Sequence, residues 1–382
     1  MNAKRNYWIL ILTYFFIYFS NALFLSFFQI FLDSKGFLES EIGIISAITP
    51  LLCIIANPIY SLFGKNNKRV HYLLLFLAIM EAIVILLVYQ VSNFSMLIVI
   101  MCLVAIIDPP LFIILDSYAS SFVKEHNVNY SYIRMVGTLS YAIGTFIAGL
   151  LIEFKGYSLV FYSASILMMI SVILILFLKP NYNIEEREKG DIKLLFKNKK
   201  FIVFALYFIF ILSFQSLGDT YISLFLTNDK KISDSTYGLI NSLWVIIELV
   251  FILILNKINI KNHNLLLIIM GICYFVRMLV IGLDASLPIV IFGALLRGLA
   301  MAIYVCLYIP IITKIIKPSN VPIALLIIGM FKSLLSTIMI SLTGFIIESN
   351  GYGMIFIIWS IVLLLAILGY YYLSKKYVKI EN

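Results

Sequence analysis

Nine ionisable side chains stand inside long apolar runs. The acids are Glu81, Asp108, Asp116, Asp219 and Glu248, and the bases are Arg134, Arg277, Arg297 and Lys332. At the centre of a membrane helix such a residue costs about 2.5–3.5 kcal/mol on insertion scales. Most of the nine must therefore face one another or a wet cavity. A channel shows a ring of one sign, whereas mixed signs on many helices suit a gated, ion-paired cavity. Asp108 precedes Pro109 and Pro110, which remove backbone donors. It serves either a functional pathway or the freed backbone groups. Glu81 is either a functional acid or a structural partner for another helix. Asp116 and Arg134 are either a binding pair or interfacial residues, with Arg134 in reach of snorkelling. Arg297, Lys332, Glu248 and Arg277 are central and cannot all snorkel, so they are read as functional.

The elements that carry these charges follow from composition. Of 382 residues, 63% are hydrophobic and 12% charged. Soluble domains hold about 45–50% apolar residues, so a water-soluble enzyme and a secreted disulfide scaffold are both excluded. The apolar runs are continuous rather than alternating, which argues against a β-barrel. The formal charge of +9 fits the Lys and Arg excess of cytoplasmic loops. No basic run is interleaved with base-stacking aromatics outside the apolar runs, so no nucleic-acid partner is expected. Cys53, Cys102, Cys273 and Cys306 lie singly, and His71, His126 and His263 are unclustered. Neither a metal, a cofactor nor a catalytic constellation is implied. The run after Lys4 and Arg5 is too long for a signal-peptide core and reads as a retained first span.

A bilayer crossing takes about 20 apolar residues, and breaks in the sequence give twelve segments. They are 7–31, 41–63, 71–90, 95–117, 134–153, 157–178, 201–226, 237–256, 265–283, 287–312, 321–346 and 353–373. The predicted architecture is all-α: a six-helix bundle over 1–178, a polar linker over 179–200 and a second six-helix bundle over 201–382. With the N-terminus in the cytoplasm, twenty Lys and Arg fall in cytoplasmic segments. Only Lys35, Lys155, Lys230 and Lys231 fall in outer loops. That bias predicts that both termini are cytoplasmic, in a bacterial cell membrane.

The halves are related by an internal repeat at an offset of 195 residues. Gly149, Glu153, Gly156 and Tyr157 recur as Gly344, Glu348, Gly351 and Tyr352, and Lys35 and Gly43 recur as Lys230 and Gly238. Corresponding segments run in the same direction. This is a parallel repeat of the kind found in transporters that hold substrate at midplane between two six-helix halves. Pro50, Pro58, Pro109, Pro110 and Pro310 are expected to interrupt their helices, and Gly137, Gly144 and Gly149 to allow close helix contact without a strict GxxxG.

The stretch Arg134-Met-Val-Gly137-Thr-Leu-Ser-Tyr141 resembles the helix-five signature of the lactose-permease type of sugar/proton symporters, within the major facilitator superfamily. The stretch Phe331-Lys332-Ser followed by Gly344 and Glu348-Ser-Asn-Gly351 resembles its helix-eleven lysine segment. Arg277 resembles the helix-nine arginine, and Asp219 a helix-seven aspartate that pairs with a basic group. Trp244 to Glu248 is similar to the related phenylpropionate-permease-like branch. The resemblance implies that Asp116, 18 residues before Arg134, pairs with it and that both bind sugar hydroxyls. Tyr141 would then stack on a sugar ring in place of the family's tryptophan. The family's helix-ten histidine and glutamate positions fall on Arg297 and Ala300, and the loop Gly64-Lys-Asn-Asn-Lys68-Arg69 lacks the usual aspartate. The proton carrier is therefore reassigned to Glu248, reset by Arg277 or Arg297, with Asp219 and Lys332 as a charge pair.

The leading expectation is a monomeric, proton-coupled symporter of a small organic solute such as a saccharide, working by alternating access. Arg297 and Arg277 also suit an aromatic-acid or other organic-anion importer, and a drug exporter is a further alternative. A membrane enzyme and a transporter-like sensor rank below these.

Overall fold

In lipid every backbone polar group must be satisfied within its own segment, so continuous apolar runs become helices. The computed structural model describes residues 2–63, 67–126, 130–178, 192–258 and 262–377, and within them contains helices and no strands. The N-terminal helices are α1 (Asn2–Leu25), α2 (Phe28–Ser34), α3 (Glu39–Phe63), α4 (Asn67–Gln90), α5 (Phe94–His126), α6 (Tyr130–Lys155) and α7 (Tyr157–Phe177). They are followed by α8 (Ile192–Lys197), α9 (Lys199–Leu224), α10 (Asp234–Lys257), α11 (His263–Gly282), α12 (Leu287–Ile315), α13 (Val321–Asn350) and α14 (Tyr352–Tyr377). Twelve crossings of membrane length and composition result. The first joins α1 and α2, and the seventh extends α9 through a π-helical turn over Phe225–Asp229.

All twelve expected segments fall on these crossings, with two refinements. The prolines do not interrupt their helices. Pro50 and Pro58 lie inside α3, Pro109 and Pro110 inside α5, and Pro310 inside α12. Each removes one ladder bond, but the bonds above and below carry the helix through. At the end of the 179–200 stretch, α8 and the start of α9 are helical. Residues 179–191 and 64–66 lie outside the described part.

The chain forms two compact units. The first comprises Met1–Phe37, Ile48–Glu186 and Ile232–Ser242; the second comprises Leu38–Ala47, Arg187–Lys231 and Leu243–Asn382. The first turns of α3 and of α10 thus each belong to the unit of the other half of the sequence, unlike the simple division at 178 and 201.

The reason is packing, and it obeys the 195-residue repeat. Within the second unit, a methyl group at Gly344 would lie 2.5 Å from the Glu39 carbonyl oxygen, and one at Gly43 would lie 3.1 Å from the Ile340 carbonyl. Within the first unit, a methyl group at Gly149 would lie 2.5 Å from the Asp234 carbonyl, and one at Gly238 would lie 2.8 Å from the Thr145 carbonyl. Every partner is the repeat equivalent of its counterpart. Two hydrogen bonds repeat as well. The Ser40 N–H donates to Glu348 Oε2 (3.3 Å) and the Ser235 N–H to Glu153 Oε1 (3.0 Å). Each glutamate thereby accepts an orphan N–H in the first turn of a helix. Lys35 Nζ donates to the Tyr89 carbonyl, and Lys230 Nζ donates to the Asp284 carbonyl at 3.2 Å.

Gly137 and Gly144 serve a different contact. They let α6 approach α1, where added methyl groups would strike the Tyr18 ring at 2.9 Å and Ala22 Cβ at 2.7 Å. Small residues giving close helix contact are the usual membrane device.

Candidate functional site

Two polar clusters interrupt the apolar interior, one in each unit. In the first unit, α5 presents Asp116 and α6 presents Arg134, whose Nη1 stands 3.3 Å from both carboxylate oxygens. Two tyrosines of α1 complete this pair. The Tyr14 hydroxyl donates to Asp116 Oδ1 at 2.8 Å. The Tyr18 hydroxyl accepts from Arg134 Nη1, and the guanidinium carbon lies 5.1 Å from the Tyr18 ring centre. Tyr14 and Tyr18 are one helical turn apart on α1 and stack at 5.8 Å. Gly137 leaves the space that the Tyr18 ring fills. Arg134 and Asp116 keep 45% and 35% of their side-chain surface exposed, so the pair is not sealed off from solutes. At the start of α6, outside the spans, burial and the Asp116 charge push the Tyr130 phenol well above the usual tyrosine range. Tyr141 is half-buried on α6, seven residues beyond Arg134 and so on the same face two turns away.

The second unit holds a four-charge cluster. Arg277 of α11 is fully buried, and its Nη1 donates to Asp219 Oδ1 of α9 at 2.7 Å. Arg297 of α12 donates from Nε to both Asp219 oxygens, at 2.9 and 3.0 Å. Its Nη1 stands 3.9 Å from Glu248 Oε2 of α10. Two arginines and two acids balance in formal charge, as a site taken out of water requires. Trp244, one turn before Glu248, offers its ring to both cations, at 5.5 Å from the Arg277 guanidinium and 5.0 Å from that of Arg297. Two glycines make the fit. A methyl group at Gly218 would lie 3.1 Å from Arg277 Nη1, and Gly298 brings α12 against the Trp244 carbonyl.

Asp219 therefore meets Arg277 and Arg297, the two arginines the sequence had set against Glu248. Span boundaries estimate depth but not azimuth, and azimuth decides which helix a carboxylate faces. Lys332 stands half-buried on α13, its backbone carbonyl accepting from Ser213 Oγ at 3.1 Å. Arg277 Nε and Nη2, and the buried Tyr274 hydroxyl one turn earlier on α11, have no hydrogen-bond partner. Buried donors of this kind are normally satisfied by water or a ligand.

Among the described residues, no group of three or more His, Cys, Asp or Glu is arranged to hold a metal ion. What both clusters can do is hydrogen-bond a polar solute and exchange partners between cations and acids.

Comparison with known proteins agrees with this architecture. The model of the MFS_1 like family matches residues 7–358. The sucrose permease of Escherichia coli is 25% identical over 306 residues, covering 69% of this chain and 66% of the permease. The maltose permease of Geobacillus stearothermophilus is 23% identical over 164 residues, covering 43% of this chain and 42% of that permease. The chain thus spans just under two thirds of the first relative and less than half of the second. Among solved structures, a mutant of the nucleoside transporter NupG superposes with a TM-score of 0.82 at 15% identity, over 97% of this chain and all of that one. A bacterial homologue of the human lysosomal transporter Spinster, inward-facing and unoccupied, gives 0.72 at 13% identity over 99% and 98% of the two chains. At these identities the structural likeness shows the fold alone. With a family match running through eleven crossings and into the twelfth, the chain belongs to the MFS_1-like family of the major facilitator superfamily and is an integral membrane protein.

Proposed function

We propose that the protein is a proton-coupled symporter of a small polyhydroxylated solute, a mono- or disaccharide, in a bacterial cell membrane with both termini cytoplasmic. The observation that carries this reading is the Asp116–Arg134 pair held by Tyr14 and Tyr18. A half-exposed carboxylate beside a guanidinium offers both acceptors and donors to vicinal hydroxyls. The nearby tyrosine rings, with Tyr141, suit the apolar face of a pyranose. The names of the sucrose and maltose permease relatives support the same class.

Coupling falls to the second unit. Glu248 is the carboxylate with the loosest cation, at 3.9 Å from Arg297. Protonating it releases Arg297 wholly to Asp219, which already receives that side chain at 2.9 Å. Deprotonation restores the competition. Alternating access then links the two clusters through rocking of the halves, with Arg277, Asp219 and Lys332 supporting the charge balance.

A second reading is favoured by one specific observation, the unpartnered buried Nε and Nη2 of Arg277. Two free guanidinium donors suit a carboxylate, and hence an organic-anion substrate.

The test is ligand-induced stabilisation of the purified protein, since only a binder of the folded state raises its melting temperature. Sucrose, maltose and simple hexoses are expected to raise it in wild type and not in Arg134→Gln. Stabilisation by aromatic acids alone, lost in Arg277→Gln and retained in Arg134→Gln, would transfer the substrate to the second reading.

A further inference from the structure

Two buried acids of the first unit belong to neither cluster. Glu81 of α4 is 1% exposed and Asp108 of α5 is 7% exposed. Asn21 of α1 donates from its amide nitrogen to Asp108 Oδ1 at 2.7 Å. Neither Oε1 nor Oε2 of Glu81 has a hydrogen-bond partner, although both are buried. Around them α4 packs on α5 and α7, and α1 on α7; Ala78 and Ala82 of α4 and Ala105 of α5 are each 2% exposed or less. The acids sit close enough to feel each other's charge.

Among the described residues, no Lys, Arg or His pairs with either acid. α7 carries no Asp, Glu, Lys, Arg or His along its length, and its Ser165 is spent on the Ala82 carbonyl. On α4 the other titratable groups are Lys68, Arg69, His71, Tyr72 and Tyr89; the nearest in sequence, Tyr89 and Tyr72, lie eight and nine residues from Glu81, about 12 and 14 Å along the axis, and the cations Lys68 and Arg69 lie thirteen and twelve residues away, about 20 and 18 Å. On α5, Asp116 is eight residues from Asp108, about 12 Å along the axis, and Cys102 is six residues away on the other side, about 9 Å. Tyr14 and Tyr18 of α1 are committed to Asp116 and Arg134, and Arg134 of α6 is itself paired with Asp116. Lys4 and Arg5 stand at the far end of α1. Two adjacent carboxylates in such surroundings do not both hold a negative charge, since an unpaired buried ion is neutralised instead.

We propose that Glu81 and Asp108, with Asn21 as the orienting amide, form a second cation site that binds one proton inside the first unit, apart from Glu248. Asn21 directs its N–H at Asp108, which makes Asp108 the acceptor and Glu81 the acid that carries the hydrogen. A metal ion fits less well, because a hard cation asks for about six oxygens and Asn21 turns nitrogen rather than oxygen to the site.

The experiment needs no transported solute. Thermal unfolding of the purified full-length protein is followed from about pH 5 to about pH 9, in sodium chloride and in choline chloride. The folded state of wild type is expected to lose several degrees of melting temperature as the pH rises. Glu81→Gln and Asp108→Asn should each flatten that slope, identically in both salts. Parallel slopes in wild type and both variants would overturn the proposal. So would sodium-specific stabilisation of wild type that Glu81→Gln abolishes, because the occupant would then be sodium. The two isosteric variants act on opposite members of the pair, so a folding failure in one leaves the other decisive.

Discussion

Replacing Asp219 by Asn should be among the most damaging single changes in the membrane interior. Asp219 neutralises Arg277, which is fully buried, and also Arg297. At an effective dielectric of about 20, a pair at 2.7 Å is worth about 6 kcal/mol, and one at 2.9 Å nearly the same. The Asn oxygen still accepts one hydrogen bond, so the net loss falls to about 3–5 kcal/mol, the usual cost of breaking a buried pair. The charge arithmetic gives the control. Asp219→Asn leaves two arginines against Glu248, whereas Asp219→Asn combined with Arg277→Gln leaves Arg297 against Glu248 and is balanced. The double variant should recover most of the stability, giving a large coupling energy in a double-mutant cycle. Unfolding of the purified protein in detergent, by heat or denaturant, reads all four corners. If Asp219→Asn lies within about 1 kcal/mol of wild type, or the double variant is the sum of the singles, the cluster is not the charge-balanced unit described.

Two further outcomes follow from packing and hydrogen bonding. Gly344→Ala, which sets a methyl group 2.5 Å from the Glu39 carbonyl, should destabilise the fold by about 1–3 kcal/mol through overpacking. Gly369→Ala in α14, where nothing lies within 4 Å, should instead stabilise it by about 0.5–1 kcal/mol; melting curves separate the two, and equal effects would contradict the close approach. Tyr18→Phe keeps the ring under Arg134 and removes the phenol, a loss of about 0.5–1.5 kcal/mol. Titration with whichever saccharide stabilises wild type should then show roughly three- to tenfold weaker binding, and unchanged affinity would remove Tyr18 from the site.

The twelve crossings were legible because a bilayer imposes a minimum apolar length, and the repeat was legible because Gly149, Glu153 and their equivalents stand out against aliphatic sequence. What the pattern hid is instructive. Segment one reads as a single run over 7–31, yet α1 ends at Leu25 and α2 begins at Phe28. A helix that is apolar all round has no periodicity to mark a break. α5 runs on to His126, past the expected 117, because backbone hydrogen bonding does not stop where hydropathy does. Among the site residues, Asp116 and Arg134 meet as the family resemblance implied. Tyr14 and Tyr18 were lost among 24 tyrosines and 30 phenylalanines, with only their one-turn spacing as a signal. Trp244 was seen as a motif residue, but its place beside two guanidinium groups depends on how three helices are rotated.

Solute accumulation by proteoliposomes under an imposed pH gradient, acid outside, tests the central claim most directly. Wild-type protein should concentrate the stabilising saccharide above its outside level and lose that gradient when an uncoupler is added. Glu248→Gln should fail to concentrate the solute while still exchanging internal for external label. Accumulation that survives in Glu248→Gln, or that ignores the pH gradient in wild type, would contradict proton coupling through this carboxylate.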